Sequence, residues 1–205
     1  MENLVMTIFN EHGEKIDTST VENREQIHAN AFIDPNDVVL ELGARYGSVS
    51  IVINRKLNNK LNHVAVDPDE RIWSILEKNR NDHDCKFHIL KGVISKKPVA
   101  LAELEGYNGY GTTSVHTTEP TSVQSFTLEE VQELYSLKFT ALVADCEGFL
   151  ETFFDENPTI YDQLNTVLYE QDYVDKCNYD RIAQNLRDHG FTNLWYGSHM
   201  VWKRE

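Results

Sequence analysis

Along this chain short runs of β-forming apolar residues alternate with segments whose apolar side chains fall at helical spacing, and that alternation admits few folds. Val38-Val39-Leu40-Glu41-Leu42, introduced by the turn-forming Asp34-Pro35-Asn36-Asp37, reads as a buried strand. Val49, Val52 and Ile53 mark a helix after Gly47 that gives out at Asn58-Asn59. His63-Val64-Ala65-Val66-Asp67 and residues 87–94 are two further strands, on either side of a helix from Asp69 to Arg80. Thr127 and Glu130 are spaced as a capping box before a helix that leads into Ala141-Leu142-Val143-Ala144-Asp145. Four successive apolar residues there suit a central parallel strand covered on both faces. A helix carrying Phe149, Phe153 and Phe154, a strand from Asn165 to Glu170, and a helix from Tyr179 that stops at Gly190 follow. The last stretch alternates around Gly197-Ser198 as an antiparallel hairpin. The expected fold is α/β: a Rossmann-like, doubly wound, mostly parallel seven-stranded sheet with an antiparallel C-terminal hairpin.

The 205 residues carry no repeat and no linker, so 1–205 reads as one domain, with 1–34 an N-terminal segment and helix. Residues 95–126 lack a clear period; so long an irregular stretch is expected to hide a hairpin and to bind the molecule acted upon. Nineteen basic against thirty-three acidic residues leave a net charge of −14, which repels phosphate backbones and anionic lipid, so neither nucleic acid nor membrane is an expected partner. Cys85, Cys146 and Cys177 have no CxxC spacing and read as reduced thiols. Acids stand where a signal peptide would be basic, and no apolar run approaches a membrane span; a soluble, cytoplasmic protein is expected.

Ligands of such sheets bind beyond the carboxyl ends of the strands. The first turn, Glu41-Leu42-Gly43-Ala44-Arg45-Tyr46-Gly47, has small residues at 43, 44 and 47 that let backbone and helix N-terminus approach a ligand. Twenty-four residues after Gly43, Asp67 ends the second strand, where a carboxylate can accept both hydrogen bonds of a ribose diol. Arg45 stands where a dinucleotide fingerprint has its second glycine, and Glu41 would oppose a pyrophosphate. A carboxylate there suits a nucleoside bearing an ammonium and a sulfonium, as S-adenosylmethionine (SAM) does. A nucleotide-dependent oxidoreductase or a non-catalytic nucleoside-binding module on the same sheet is the alternative.

Val38–Ser48 resembles the first motif of class I SAM-dependent methyltransferases, and residues 127–151, TLEEVQELYSLKFTALVADCEGFLE, resemble the helix–strand signature of the FkbM family. The likeness runs from about residue 22 to the C-terminal strand, and the DCEGF segment is its specific part. It implies the class I methyltransferase fold and SAM-dependent O-methylation of a sugar or glycan hydroxyl. It further implies that Glu41, Gly43, Ala44 and Gly47 surround the methionine end of SAM and that Asp67 holds the ribose. Pro68, Asp69, Gly92 and Val93 would border the adenosine.

A sugar hydroxyl needs a base to take its proton, or a metal to lower its pKa. Asp145 and Glu147 follow the fourth strand and are candidate catalytic acids, with Glu147 alternatively serving the next helix N-terminus. Asp145 with Glu170 and Gln171 would match the acid set of metal-dependent O-methyltransferases and could hold a divalent cation, Mg or Mn. His116, in the irregular segment, is a further candidate base, and Tyr46, Tyr107 and Tyr110 could stack on a sugar ring.

Overall fold

The computed structural model describes residues 6–103 and 112–204; Tyr107 and Tyr110 lie outside them. A hairpin of β1 (Thr7–Phe9) and β2 (Lys15–Asp17) comes first, then α1 (Asn23–Phe32). β3 (Val39–Leu42), α2 (Ser48–Lys56), β4 (His63–Asp67), α3 (Trp73–Asp82) and β5 (His88–Lys91) form the first half of the main sheet. A small excursion follows: β6 (Val93–Ile94), β7 (Val99–Glu103), β8 (Thr112–His116) and β9 (Ser125–Phe126). The second half comprises α4 (Leu128–Tyr135), β10 (Ala141–Ala144), α5 (Leu150–Glu156), β11 (Thr166–Glu170), α6 (Tyr179–Asp188), β12 (Thr192–Trp195) and β13 (His199–Lys203).

The seven-stranded sheet has the order β12-β13-β11-β10-β3-β4-β5, with all pairs from β11 to β5 parallel and β13 antiparallel to both neighbours. β3, β4 and β10 are buried along their whole length. Alternation sorts their side chains to two cores. Leu40, Leu42, Leu142 and Ala144 join Phe153 and Leu186 under α4–α6, whereas Val39, Ala141 and Val143 join Ala29, Val52 and Leu76 under α1–α3. Glu41 therefore faces the α1–α3 side.

Three local differences from the sequence reading have local causes. The third strand breaks at Gly92, where a Cβ would stand 2.3 Å from the Gln124 carbonyl oxygen, so Val93-Ile94 pairs with β9 instead of extending β5. α3 starts at Trp73 rather than Asp69, because the Asp67 carboxylate accepts from the Asp69 N–H and Asp69 from the Arg71 N–H, spending those residues on a turn. Ile8 and Ile16 anchor an N-terminal hairpin whose strands are too short to show a period. The hairpin anticipated within 95–126 is β7–β8, and the Thr127–Glu130 capping box is formed. The three cysteines are free thiols, and no described helix is long and apolar enough to cross a membrane.

Candidate active site

The chain winds to opposite sides after β3 and β10, which lie side by side, so their carboxyl ends leave a crevice. It is a cleft of about 760 Å³ walled by Gly43, Asp67, Val93, Asp145 and Glu147 among others. Gly43 is the residue that permits the crossing: its φ is 86°, and a Cβ there would lie 1.7 Å from the Asp145 carbonyl oxygen. The close approach is thus of one strand end to another. Ala44, 3% exposed, packs into the core, and Gly47 opens α2 beneath Leu76; neither lines the cleft.

Asp67, at the end of β4, accepts hydrogen bonds from the backbone N–H of Arg45 at 2.8 Å and of Asp69 at 2.9 Å. Burial pushes its carboxyl up to about 6 against the pull of those two donors. Pro68, Asp69 and Val93 continue this wall, whereas Gly92 is turned against Gln124 and Phe126 and does not reach it. Arg45 reaches Asp69 Oδ2 at 3.1 Å and lies over the Tyr46 ring. Tyr46 itself is buried and hydrogen-bonded to Glu11, so it supports the turn instead of presenting a ring to a ligand.

The opposite wall is acidic. Burial raises Asp145 well above the ordinary carboxyl range, with Glu170, Glu22 and Glu147 adding to the effect. Glu147, in the left-handed conformation at φ 53°, is raised by burial and by Asp172 beside it. One oxygen from each of Asp145, Glu147 and Asp172 lies within 4.8 Å of the others. Asp172 is held there by the Gly148 N–H at 3.0 Å and the Tyr179 hydroxyl at 2.6 Å. Phe149 occupies the N-cap of α5, two residues after Glu147. Glu22, at the N-cap of α1, accepts from Ser48 and is pushed by burial up to about 7. Asp172, like Asp145 and Glu147, is one of the clustered carboxylates expected at the fourth and fifth strand ends, whereas Glu22 lacks any local motif, and its place depends on α1 packing beside α2.

Several expected residues stand elsewhere. Glu41, 2% exposed, pairs through Oε2 with His63 Nε2 at 3.0 Å, because the parallel register sets β3 and β4 with both side chains on the α1–α3 face. It lines an adjoining cavity of about 430 Å³ that shares Glu22, Gly43 and Asp145 with the cleft. Glu170 joins that cavity with His199, whose Nε2 is 2.9 Å from Glu25 and 3.4 Å from Glu170. Burial opposes protonation of His199, but the Glu25 hydrogen bond and charge raise its pKa overall. Asp145 and Glu170 lie in side-chain contact, while each also joins a separate set of groups within 4.8 Å of one another, Asp145 with Glu147 and Asp172 and Glu170 with Glu25 and His199; the Gln171 N–H ties β11 to the Ser198 carbonyl at 2.6 Å. His116 does not line the cleft; its Nε2 lies 3.2 Å from Glu156 and 3.3 Å from Ser95 Oγ, and its ring packs edge-on against Phe149, which does.

A crevice at the reversal between β3 and β10 in a sheet of this order defines the Rossmann-like methyltransferase fold. Solved structures agree. An rRNA methylase from Streptococcus thermophilus superposes with a TM-score of 0.55 at 10% identity, covering 88% of this chain and 94% of the other. The precorrin-6y C5,15-methyltransferase of Geobacter metallireducens gives 0.52 at 12% identity, covering 89% and 88%. A protein of the NADB-Rossmann superfamily from Streptococcus agalactiae gives 0.53 at 9%, covering 88% and 68%. No family model and no curated protein matches the chain.

Proposed function

We propose that the chain is a SAM-dependent O-methyltransferase acting on a sugar or glycan hydroxyl, in keeping with the FkbM-like DCEGF segment. One observation carries the reading: the cleft opposes the ribose-type carboxylate of Asp67 to acids that burial has pushed toward neutrality, Glu22, Asp145 and Glu147. A cationic ligand would relieve that cost, and a nucleoside carrying a sulfonium and an ammonium suits both walls. Asp67 would hold the ribose, Pro68 and Val93 the adenosine, and Glu22 and Asp145 the charged end. SAM supplies an electrophilic methyl group when bound.

The residues of the chain then do what the acceptor requires. The cleft excludes water and sets the hydroxyl against the methyl donor, which provides most of the rate. Glu147, its pKa raised by burial and by Asp172, takes the acceptor's proton. A divalent cation is the second route to the same end. Asp145, Glu147 and Asp172 are carboxylates that could take one, with Glu170 in contact with Asp145.

The likeness to an rRNA methylase supports methyl transfer as the reaction class, but a net charge of −14 and an acidic cleft oppose a phosphate-rich acceptor. The free thiols suit a reducing compartment such as the cytoplasm. Transfer of labelled methyl from SAM to a panel of glycosides and glycans, with an RNA transcript alongside, tests the proposal. Label in a sugar product identified by mass spectrometry is the expected result; label in RNA alone would overturn the acceptor class.

A further inference from the structure

On α1 an acid and a histidine, Glu25 and His28, stand one turn apart on one face, and the helix packs against β11 and β13. At the ends of those strands the antiparallel register sets Glu170 directly opposite His199. His199 Nε2 is 2.9 Å from Glu25 Oε1 and 3.4 Å from Glu170 Oε1, and one atom from each of the three lies within 4.8 Å of the others. Such spacing suits donors around one small ion, because bonds of about 2.0–2.1 Å at a tetrahedral centre hold them about 3.3 Å apart.

Two further observations point to a cation. The cavity of about 430 Å³ at this cluster is lined by five carboxylates, Glu22, Glu25, Glu41, Asp145 and Glu170, and among the described residues by no lysine or arginine. Like charges so close, away from water, call for a positive partner. His28 lines the same cavity and is only 7% exposed. Its ring packs against those of Phe32, Trp195 and His199, yet among the described residues none hydrogen-bonds to it. Buried polar groups are ordinarily paired, and a neutral imidazole left over beside two carboxylates is a metal ligand in kind.

We propose that Glu25, His28, Glu170 and His199 form a site for a divalent transition-metal ion of the zinc class, separate from the cluster of Asp145, Glu147 and Asp172. His28, with its ring centroid 6.1 Å from that of His199, completes the set by a turn of its side chain. Two imidazole nitrogens favour zinc, cobalt or iron(II) over magnesium or calcium, which take oxygen ligands. Entry of the ion releases any proton held on His199, since both rings must be neutral and both acids ionised. The Glu170 side chain is 30% exposed, so the site is open to water. The ion ties α1 to the two C-terminal strands behind Glu22 and Asp145, and it does so whatever reaction the cleft performs.

The test takes the full chain, stripped with EDTA and freed of the chelator, and titrates it with Zn²⁺ by calorimetry and with Co²⁺ by visible absorption. Histidine ring nitrogens are followed by nuclear magnetic resonance through the Zn²⁺ titration. A saturable step tighter than about 1 μM is expected, with the rings of His28 and His199 shifting together, a four-coordinate Co²⁺ spectrum, and no competition from millimolar Mg²⁺. Glu25→Gln and His199→Gln should each weaken Zn²⁺ at least about 100-fold, whereas Glu147→Gln and Asp172→Asn should retain it. The ring spectra are read on wild type, so they decide the matter even where a variant fails to fold. No step tighter than about 1 μM overturns the site, and so does Zn²⁺ that leaves His28 or His199 unmoved. Binding that survives Glu25→Gln and is lost in Glu147→Gln places the ion among the cleft acids and overturns it equally.

Discussion

Carboxyl groups decide this site, and each of the acids does a different job because its surroundings differ. Asp67 orders the turn through two backbone donors as well as facing the cleft. Asp67→Ala should therefore weaken SAM binding and also cost about 1–3 kcal/mol of stability, the price of stranding buried N–H groups, read by denaturant titration. Glu147→Gln removes the proposed proton acceptor without emptying the ribose wall, so kcat should fall about 100-fold with SAM affinity unchanged. His116→Ala, by contrast, should leave kcat as it is; a large loss would return that histidine to the chemistry. Asp67, Asp145 and Glu147 are legible in the sequence because each follows a recognisable strand. The pairing of Glu41 with His63 is not legible, since it needs the β3–β4 register, and Glu22 reaches the cleft only through the packing of α1.

Among the elements, the turn after β3 is the tightest constraint. Gly43→Ala drives a methyl group into the Asp145 backbone and forces a positive φ on a β-carbon, so it should destabilise the fold by at least about 2 kcal/mol and depress SAM binding with it, measured by thermal denaturation and calorimetry. The same substitution at an exposed turn such as Gly13, where nothing lies within 4 Å, is the control for the positive φ alone. Strand and helix assignments along the main sheet were readable because their periods, 2 and 3.6, are set by the two buried faces. The break at Gly92 was not, because it depends on the distant Gln124 carbonyl, and the β1–β2 hairpin was too short to leave a pattern. A bulge at Asn193 and Trp195 likewise aims two aromatics in a way that alternation alone would not indicate.

Across the whole molecule, buried acids without a cation make the ligand-free fold sensitive to pH. Glu22 is raised from its ordinary 4.5 to about 7, so between those values the folded chain binds more protons than the unfolded one. Its stabilising contribution is then complete below pH 4.5 and lost as pH rises through about 7. The Tm of wild type should accordingly fall more steeply from pH 5 to 7 than that of Glu22→Gln, and saturating SAM should flatten the difference; equal slopes would contradict the burial of Glu22. Because apolar clusters on both faces of the sheet hold the fold, EDTA should leave the chain folded whatever it does to the rate. The measurement closest to the central claim is calorimetric titration of the chain with SAM and, separately, with NAD. Saturable binding of SAM, lost in Asp67→Ala, with no heat from NAD is the result this account predicts; binding of NAD with none of SAM would contradict it.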